Sequence, residues 1–457
     1  MRKGVISRPR KIFMVSLGCP KNLVDSENAL GILKSMGHEP VSDLKEARTV
    51  VINTCGFIQE AVEESIETVL EMTARKERGE LERVVVMGCF VQRYGYKLQR
   101  EMPEVDAWVG TGAVHRIAEV MEERPGPSPF LINSPGFLAD HRTPRTRTGR
   151  LHTAFVKIAE GCDRRCTFCR IPSLRGRLRS RNPASVVEEA GMLEDQGAVE
   201  LNLVAQDTTG YGSDLDRKVG LEDLLEMLLR GTKVPWIRIH YAHPSGISSG
   251  LLDLMETEPR ICPYLDIPFQ HVNPSLLGGM ERSRLGDPEP WAVLERIRAL
   301  KRRIFIRTTL MVGFPGEGEK EFAELLDFVS NAGLDYVGAF VFSPEKGTKA
   351  ARKSASPGGS VLHKTAEKRL ERLMQLQQEV SLKKKRTLVG QTLPVLVEGP
   401  SFETEFLLSG RIQGMAPDID GRVLINRGTA PGWGAIVPVR VTEAYPYDLV
   451  GEVIDIT

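Results

Sequence analysis

Residues 160–170 read EGCDRRCTFCR and place Cys162, Cys166 and Cys169 in the spacing C-x3-C-x2-C. Clusters of the 4Fe–4S type are held by cysteine thiolates, and electron carriers supply one thiolate for each iron. A local set of three leaves one iron free to bind another molecule, which is typical of a catalyst. The alternative is a structural zinc site, which needs four ligands, and no nearby Cys or His completes the set.

The composition limits the kind of protein that this chain can be. Its 457 residues suffice for roughly three domains, and 41% hydrophobic and 26% charged residues are ordinary for a soluble globular protein. The net charge of +1 gives no general sign of nucleic-acid or membrane binding. Neither a membrane span nor a secretory signal is found in the sequence. Seven cysteines without such a signal predict a reducing cytoplasm, where thiols serve metals or catalysis.

Three further cysteines each end a short apolar run in the first third of the chain. The runs are residues 12–19 (IFMVSLGC), 50–55 (VVINTC) and 84–89 (VVVMGC). Successive cysteines are 36 and 34 positions apart, the length of one strand–helix unit, so three parallel strands should end at one sheet edge. Cys19, Cys55 and Cys89 are therefore predicted to converge and hold a second 4Fe–4S cluster, with helix N-termini favouring the thiolates. Taken singly, each cysteine could instead be a small buried thiol, and that interpretation is kept for Cys262.

Strand and helix patterns alternate again from about residue 151 to residue 347, with six candidate strands. The pattern predicts a partial barrel of parallel strands with helices outside, and its active site should lie at the C-terminal strand ends. The C-x3-C-x2-C motif follows the first of these strands. Polar groups after later strands are candidate ligand contacts, although each could simply shape a loop. These groups are residues 206–209 (QDTT), 240–243 (HYAH), 270–271 (QH) and 313–317 (GFPGE).

The last part of the chain is predicted to be a helix followed by a small β-barrel. The helix covers residues 363–385, and its apolar face serves packing. From residue 388 onward, four short strands are broken by Gly and Pro. This tail holds four basic and nine acidic residues, hence a formal charge of −5. An acidic surface repels phosphate and attracts a basic protein, although an ordinary solvated surface would have the same composition.

Together the three parts resemble the radical S-adenosylmethionine (SAM) methylthiotransferase family, in the branch that modifies a ribosomal protein. The resemblance covers nearly the whole chain. Besides the C-x3-C-x2-C motif, it rests on residues 16–27 (SLGCPKNLVDSE), 53–58 (NTCGFI), 206–209 (QDTT), 265–271 (LDIPFQH) and 313–317 (GFPGE). The tRNA enzymes of the family typically have Gln and Met near Pro20 and Lys21.

The sequence departs from the family pattern at two places. Arg164, Arg165 and Arg170 make the cysteine motif more basic than usual, and His240 and His243 stand where apolar or Tyr residues are expected. These departures concern substrate contacts and leave the predicted cluster ligands unchanged.

The resemblance implies an α/β protein in five segments. They are a basic tail (1–10), an N-terminal parallel α/β sheet domain (11–125), a linker (126–147), a radical SAM core with a partial (β/α)6 barrel (148–378), and a small antiparallel β-barrel called a TRAM domain (379–457).

The resemblance also implies two 4Fe–4S clusters and SAM as cofactors. The cluster on the C-x3-C-x2-C motif would reduce SAM to a 5′-deoxyadenosyl radical, which would take hydrogen from the β-carbon of an aspartate in the twelfth small-subunit ribosomal protein. The second cluster would deliver a methylated sulfur. Gln206 and Arg307 are the candidate SAM contacts.

The expected partners are a basic small-subunit ribosomal protein as substrate and an electron donor such as flavodoxin or ferredoxin, in the cytoplasm and without a membrane. Two alternatives remain open. In a tRNA adenosine methylthiotransferase, the arginine-rich run 164–181 would contact phosphates, although the same arginines could shield the cluster and bind SAM. The other alternative is a two-cluster electron carrier, which the incomplete ligand sets disfavour.

Overall fold

The computed structural model describes residues 9–122, 128–217, 219–283, 288–356, 359–404 and 406–454. The expected basic tail therefore lies almost entirely outside the described residues, as does part of the expected linker. Across the described ranges, no helix is both long enough and apolar enough to cross a membrane.

The N-terminal domain is a parallel sheet of six strands in the order β2-β1-β3-β4-β5-β6. Both faces of the sheet are covered, because Val85 and Met87 of the fourth strand pack on one side and Val84 and Val86 on the other. Burial on both faces explains why these strands appear as continuous apolar runs. The strands are β1 (Lys11–Ser16), β2 (Glu39–Pro40), β3 (Thr49–Thr54), β4 (Arg83–Gly88), β5 (Ala107–Gly110) and β6 (Phe130–Leu131); the helices are α1 (Pro20–Ser35), α2 (Gln59–Glu77), α3 (Cys89–Tyr94) and α4 (Lys97–Glu101), with 3₁₀ segments at Leu44–Glu46 and Thr111–Val120.

The middle domain is the predicted partial barrel, a parallel sheet in the order β14-β13-β12-β11-β10-β7. Helices flank it, and a short antiparallel pair, β8 with β9, encloses the cysteine motif. The strands are β7 (Thr153–Lys157), β8 (Ala159–Glu160), β9 (Arg179–Ser180), β10 (Glu200–Val204), β11 (Trp236–Ile239), β12 (Ile261–Asp266), β13 (Phe305–Val312) and β14 (Tyr336–Val341); the helices are α5 (Ile171–Arg175), α6 (Pro183–Asp195), α7 (Leu221–Gly231), α8 (Ser249–Thr257), α9 (Pro274–Gly279), α10 (Pro290–Arg298), α11 (Glu319–Asn331), α12 (Lys349–Ser354) and α13 (His363–Arg386), with 3₁₀ turns at Thr208–Gly210 and Pro244–Gly246.

The interior of the partial barrel is polar. Along β10, Leu201 and Leu203 pack into the large core under the helices, whereas Glu200 and Asn202 alternate with them and face inward. His240, just after β11, is also buried and bonds to Asn202. The interior of the middle domain therefore differs from the packed core of an ordinary barrel, because it contains buried polar side chains.

The C-terminal domain is a closed barrel of five strands, one more than the sequence analysis predicted. In the missed strand, Leu408–Ile412, only Ile412 is of a residue type enriched in strands and Gly410 is of a type depleted in them, so its sequence carries little β signal. Helix α13 runs into this domain without a break at residue 378. The strands are β15 (Thr392–Pro400), β16 (Leu408–Ile412), β17 (Val423–Arg427), β18 (Ile436–Ala444) and β19 (Leu449–Val453), of which β17 and β19 pair in parallel.

The two smaller domains lie at opposite ends of the partial barrel. The C-terminal barrel shares a hydrophobic cluster with Trp236, Cys262 and Tyr336, near the N-terminal ends of three strands. The N-terminal domain instead reaches residues that follow the strands, including Glu345 after β14. The N-terminal domain therefore covers the end at which barrel active sites form.

Candidate functional site

The C-x3-C-x2-C motif lies in the loop between β8 and α5. Each of its three sulfur atoms is within 3.4 Å of a nitrogen donor: the backbone of Arg164 for Cys162, the side chain of Arg282 for Cys166, and the backbone of Ile171 for Cys169. Hydrogen bonds to cysteine sulfur tune iron–sulfur clusters. The motif therefore supplies three thiols, and the loop, the first residue of α5 and Arg282 supply the N–H donors that would stabilise them as thiolates.

The three thiols are close enough to affect one another electrostatically. Burial raises the pKa of Cys162 to about 11 and that of Cys169 to about 12, and Cys166 adds to both shifts. Metal binding requires deprotonated thiols, so a bound cluster would displace these protons. Within the described ranges, no three His, Cys, Asp or Glu side chains are grouped as ligands of one ion. A 4Fe–4S cluster needs a wider set, because each thiolate binds a different iron.

The other three cysteines lie at one edge of the N-terminal sheet. Cys19 caps the N-terminus of α1, Cys55 directly follows β3, and Cys89 begins α3. The loops meet closely at Gly18, whose φ is +85° and where a Cβ atom would lie 2.9 Å from the Cβ of Cys55. Only glycine tolerates both that dihedral angle and that distance.

Two asparagines hold these loops together. The Asn22 amide donates to the carbonyl oxygens of Leu17 (3.0 Å) and Thr54 (3.1 Å). The Asn53 amide donates to the Asn22 carbonyl oxygen (2.7 Å) and to the Ser26 hydroxyl (2.9 Å). These contacts explain why Asn stands three residues after Cys19 and two before Cys55 in the motifs of the sequence.

A buried ion network joins the N-terminal cysteine set to the segments on either side of the C-x3-C-x2-C loop, across the domain interface. Arg175, at the end of α5, places Nε 3.3 Å from the sulfur of Cys89 and Nη1 2.5 Å from Asp25 of α1. Lys157 at the end of β7 also pairs with Asp25, and its Nζ lies 2.6 Å from Glu160. The sequence analysis missed this network, although Asp25 lies in a quoted motif and Arg175 in the arginine-rich run.

The members of this network are charged. Burial would raise the pKa of Glu160, but Lys157 and Arg175 outweigh it and hold the value at about 2. Burial would lower the pKa of Arg175, but the anionic forms of Cys89, Glu160 and Asp25 outweigh it and raise that pKa above the usual range. At this interface, Lys157 and Arg175 therefore pair with the side chains of Asp25 and Glu160.

Two more cations cross from the N-terminal domain to the barrel. Arg93 of α3 pairs at 2.5 Å with Glu345, and both side chains are buried. Lys21 places its Nζ 3.5 Å from the centre of the Tyr241 ring, just after β11. Burial works to lower the pKa of Lys21, but Tyr241 and Cys19 raise it above its usual value. The N-terminal domain thus contacts residues at the C-terminal ends of the barrel strands, from β7 to β14.

The two candidate SAM contacts are in different surroundings. Gln206 donates to Glu160 at 2.8 Å, and its buried Oε1 has no partner in the described part of the chain. Arg307 lies on β13 and donates to Asp420 of the C-terminal barrel at 2.7 Å. Gln206 thus borders the cysteine loop, whereas Arg307 is bound toward the other end of the barrel.

Two other predicted polar groups shape loops. In residues 313–317 the Gly313 amide donates to Glu317 at 2.9 Å, and Glu317 pairs with Arg369 of α13. Asp207 pairs with Arg164 at 2.8 Å, beside the cysteine motif. Both groups thus have partners within the described protein, and their role as ligand contacts stays a prediction.

The arginine-rich run 164–181 is mostly used inside the protein. Arg175 and Arg181 are buried in ion pairs, the latter with Glu189, and Arg164 pairs with Asp207. Of the arginines in this run, only Arg165 and Arg177 are exposed. This distribution disfavours the run as a phosphate-binding surface.

Part of the acidic charge of the tail is also internal. Glu398 pairs with the buried Arg411, and Asp420 pairs with Arg307. The exposed surface of this barrel instead carries aromatic side chains, with Phe402 82% and Trp433 69% exposed. Its character is therefore apolar as well as acidic.

Comparison with known proteins agrees with this architecture. Residues 11–110 match the uncharacterized protein family UPF0004, residues 156–329 the radical SAM superfamily, and residues 389–454 the TRAM domain. The ribosomal protein uS12 methylthiotransferase RimO of Syntrophotalea carbinolica is 45% identical over 100% of this chain and 99% of its own length. The protein of the same name from Geobacter sulfurreducens is 45% identical over 97% of this chain and 98% of its own.

Among solved structures, the radical SAM methyltransferase TsrM from Kitasatospora setae is similar, with a TM-score of 0.53, 17% identity and 72% coverage of each chain. This likeness concerns the fold. The fold and the cysteine motif define a radical SAM enzyme, whose cofactors are SAM and an iron–sulfur cluster. Within that class, the sequence identity with the RimO proteins over nearly the full length of the chain decides the family. The chain belongs to the ribosomal protein uS12 methylthiotransferase (RimO) family.

Proposed function

We propose that this chain transfers a methylthio group to the β-carbon of an aspartate in ribosomal protein uS12. It would act in the cytoplasm with an electron donor such as flavodoxin or ferredoxin. A SAM-bound 4Fe–4S cluster supplies a radical able to take hydrogen from unactivated carbon, which acid–base chemistry cannot do.

One observation supports the proposal: Arg175, which ends the helix after the C-x3-C-x2-C loop, lies 3.3 Å from the sulfur of Cys89 and pairs with Asp25 of the N-terminal domain. We infer that Cys162, Cys166 and Cys169 hold the SAM-binding cluster, and that Cys19, Cys55 and Cys89 hold a second one. A radical generator alone would need only the first set. The second set would give the sulfur a place close to the carbon that receives it.

The roles of the surrounding residues follow from their contacts. The N–H donors of Arg164 and Ile171 would stabilise the first thiolate set, and Asn22 and Asn53 would hold the loops of the second. Gln206 is the better candidate for a SAM contact, since its Oε1 is unpartnered among the described residues. Arg307 is less suited, because its guanidinium is bound to Asp420.

The choice of substrate can be tested directly. Reconstituted enzyme is incubated without oxygen with SAM, dithionite and either uS12 or tRNA, and products are weighed by mass spectrometry. We expect a methylthio mass gain on uS12 and 5′-deoxyadenosine in solution. A mass gain on tRNA alone would overturn the proposed substrate, and absence of 5′-deoxyadenosine would overturn the enzyme class.

The division of labour between the cysteine sets needs a second experiment. Cys55→Ala should abolish sulfur transfer and leave SAM cleavage, whereas Cys166→Ala should abolish both. Cys262→Ala is the matched control, because Cys262 is fully buried in the cluster shared with the C-terminal barrel. Loss of SAM cleavage in the Cys55 variant, with iron still bound at the first set, would contradict the assignment.

A further inference from the structure

Lys21 has an unusual environment for a buried cation. The residue is only 9% exposed, and its Nζ sits 3.5 Å from the centre of the Tyr241 ring. In the ranges that the structure describes, no carboxylate forms an ion pair with it. Tyr241 itself, two residues after β11, has a φ of +57°. Lys21 therefore presents an ammonium group at the interface that no carboxylate of the described residues pairs with, and its neighbours are Tyr241 and Cys19.

Other cations between these two domains are arranged differently. Four of them have carboxylate partners: Lys157 and Arg175 with Asp25 and Glu160, Arg145 with Glu27 and Glu189, and Arg93 with Glu345. A buried charge is costly unless it is paired, and an aromatic ring offsets only part of that cost. The lone ammonium of Lys21 is thus suited to an anion that arrives from outside.

The position of Lys21 indicates which anion this is. It lies two residues after Cys19, in the first turn of α1, and its ammonium reaches Tyr241, two residues after the end of β11. The space between the N-terminal cysteine set and the barrel strand ends is where the proposed reaction needs the substrate side chain. A group bound to Lys21 is therefore close to both halves of the site.

We propose that Lys21 binds the carboxylate of the substrate aspartate, so that its β-carbon lies between the two cysteine sets. This inference rests on the proposed function and adds a residue that selects an acidic side chain. An ammonium group donates to a carboxylate through a charge-assisted hydrogen bond, which is stronger than a bond to a neutral amide. Lys21 would thus distinguish aspartate from asparagine at the modified position.

The test compares the affinities of enzyme variants for two uS12 peptides. The peptides differ only by Asp or Asn at the modified position. Wild-type holoenzyme, reconstituted without oxygen, should bind the Asp peptide roughly ten-fold more tightly than the Asn peptide. Lys21→Met should bind both peptides alike, mainly because the Asp peptide binds more weakly. Lys21→Arg should keep part of the preference, and Lys346→Met, at an exposed lysine, should keep all of it.

Iron content and the electron paramagnetic resonance spectrum of each variant are measured beside the affinities. An unchanged Asp preference in Lys21→Met would overturn the inference. Equal weakening of both peptides, or loss of iron, would also overturn it and assign Lys21 to charge compensation for the cysteine set. If wild type modifies uS12 but shows no Asp preference, the inference fails alone. If wild type does not modify uS12, the proposed function fails as well.

Discussion

Arg175 and Cys89 are 86 residues apart in sequence and belong to different domains, yet Nε of the first lies 3.3 Å from the sulfur of the second. Arg175 ends the helix that directly follows the C-x3-C-x2-C loop. A displacement of that loop therefore moves a positive charge relative to the N-terminal cysteine set. The two halves of the site are coupled through one side chain, which also holds Asp25 and Glu160.

Replacing Arg175 should lower the reduction potential of the second cluster. Arg175→Met removes a buried positive charge beside Cys89, and a cluster that loses a nearby cation is harder to reduce. We expect a fall on the order of 50–100 mV, since charges a few ångströms apart interact strongly in a buried site. The measurement is a redox titration followed by electron paramagnetic resonance, in a background with Cys162, Cys166 and Cys169 replaced by Ala.

Arg177→Met is the matched control for that titration. Arg177 lies in the same segment, but its side chain is 87% exposed and pairs with Asp163 at the surface. Water screens such a charge, so the potential should stay the same. A similar fall in both variants would show that the effect comes from net charge and not from the contact with Cys89.

The stability of the interface between the partial barrel and the C-terminal barrel should depend on Arg411. This side chain is buried and pairs with Glu200 of β10, which also pairs with Arg238. Burial would raise the pKa of Glu200, but Arg411 and Arg238 outweigh it and hold the value well below the usual range. Arg411→Met leaves a fully buried carboxylate short of one partner, so we expect a loss of about 3–5 kcal/mol in denaturant unfolding.

The comparison for Arg411 is Arg440→Met in the same barrel. Arg440 pairs with Glu452, and more than half of its side chain is exposed. Exposed ion pairs contribute little, so this variant should lose less than about 1 kcal/mol. Equal losses in the two variants would mean that the buried pair does not hold the domains together.

Local patterns in the sequence were enough to predict most of the architecture, because strand–helix alternation and cysteine spacing are local signals. The middle domain has the six-stranded parallel sheet that was expected, and the fold class is confirmed. The ion pair between Arg175 and Asp25 was not predictable, since residues 150 positions apart leave no shared pattern. The cluster ligands stay a prediction.

Asp266 should make stability depend on pH. It lies at the end of β12 inside the barrel, where burial raises its pKa to about 6 despite the opposing charge of Arg307. Its ordinary value is 3.8, so between these values the unfolded chain binds fewer protons than the folded one. The contribution of Asp266 to stability therefore falls as pH rises through this window.

Asp266→Asn removes that dependence. The stability of the variant relative to wild type should rise by up to about 3 kcal/mol between pH 4 and pH 7, measured by unfolding at a series of pH values. Asp253→Asn, on the exposed side of α8, should leave the pH profile as it is in wild type. If the difference in unfolding free energy between Asp266→Asn and wild type does not vary with pH, the raised pKa of Asp266 is refuted.

Gly88 should be required for the position of Cys89. Its φ is +107°, and a Cβ atom there would lie 2.4 Å from the Asn53 side-chain oxygen and 2.5 Å from the Thr54 carbonyl oxygen. Gly88→Ala must therefore push apart β3 and β4 at the edge that carries the cysteines, at a cost of more than about 2 kcal/mol in unfolding free energy. Gly79→Ala separates this clash from backbone strain, because Gly79 has a φ of +77° with no atom within 4 Å. That variant should lose only about 1 kcal/mol.

In the background that lacks the C-x3-C-x2-C cysteines, Gly88→Ala should also bind less iron after reconstitution, while Gly79→Ala binds as much as its parent. Full iron binding by Gly88→Ala would show that the second cysteine set tolerates a shifted Cys89.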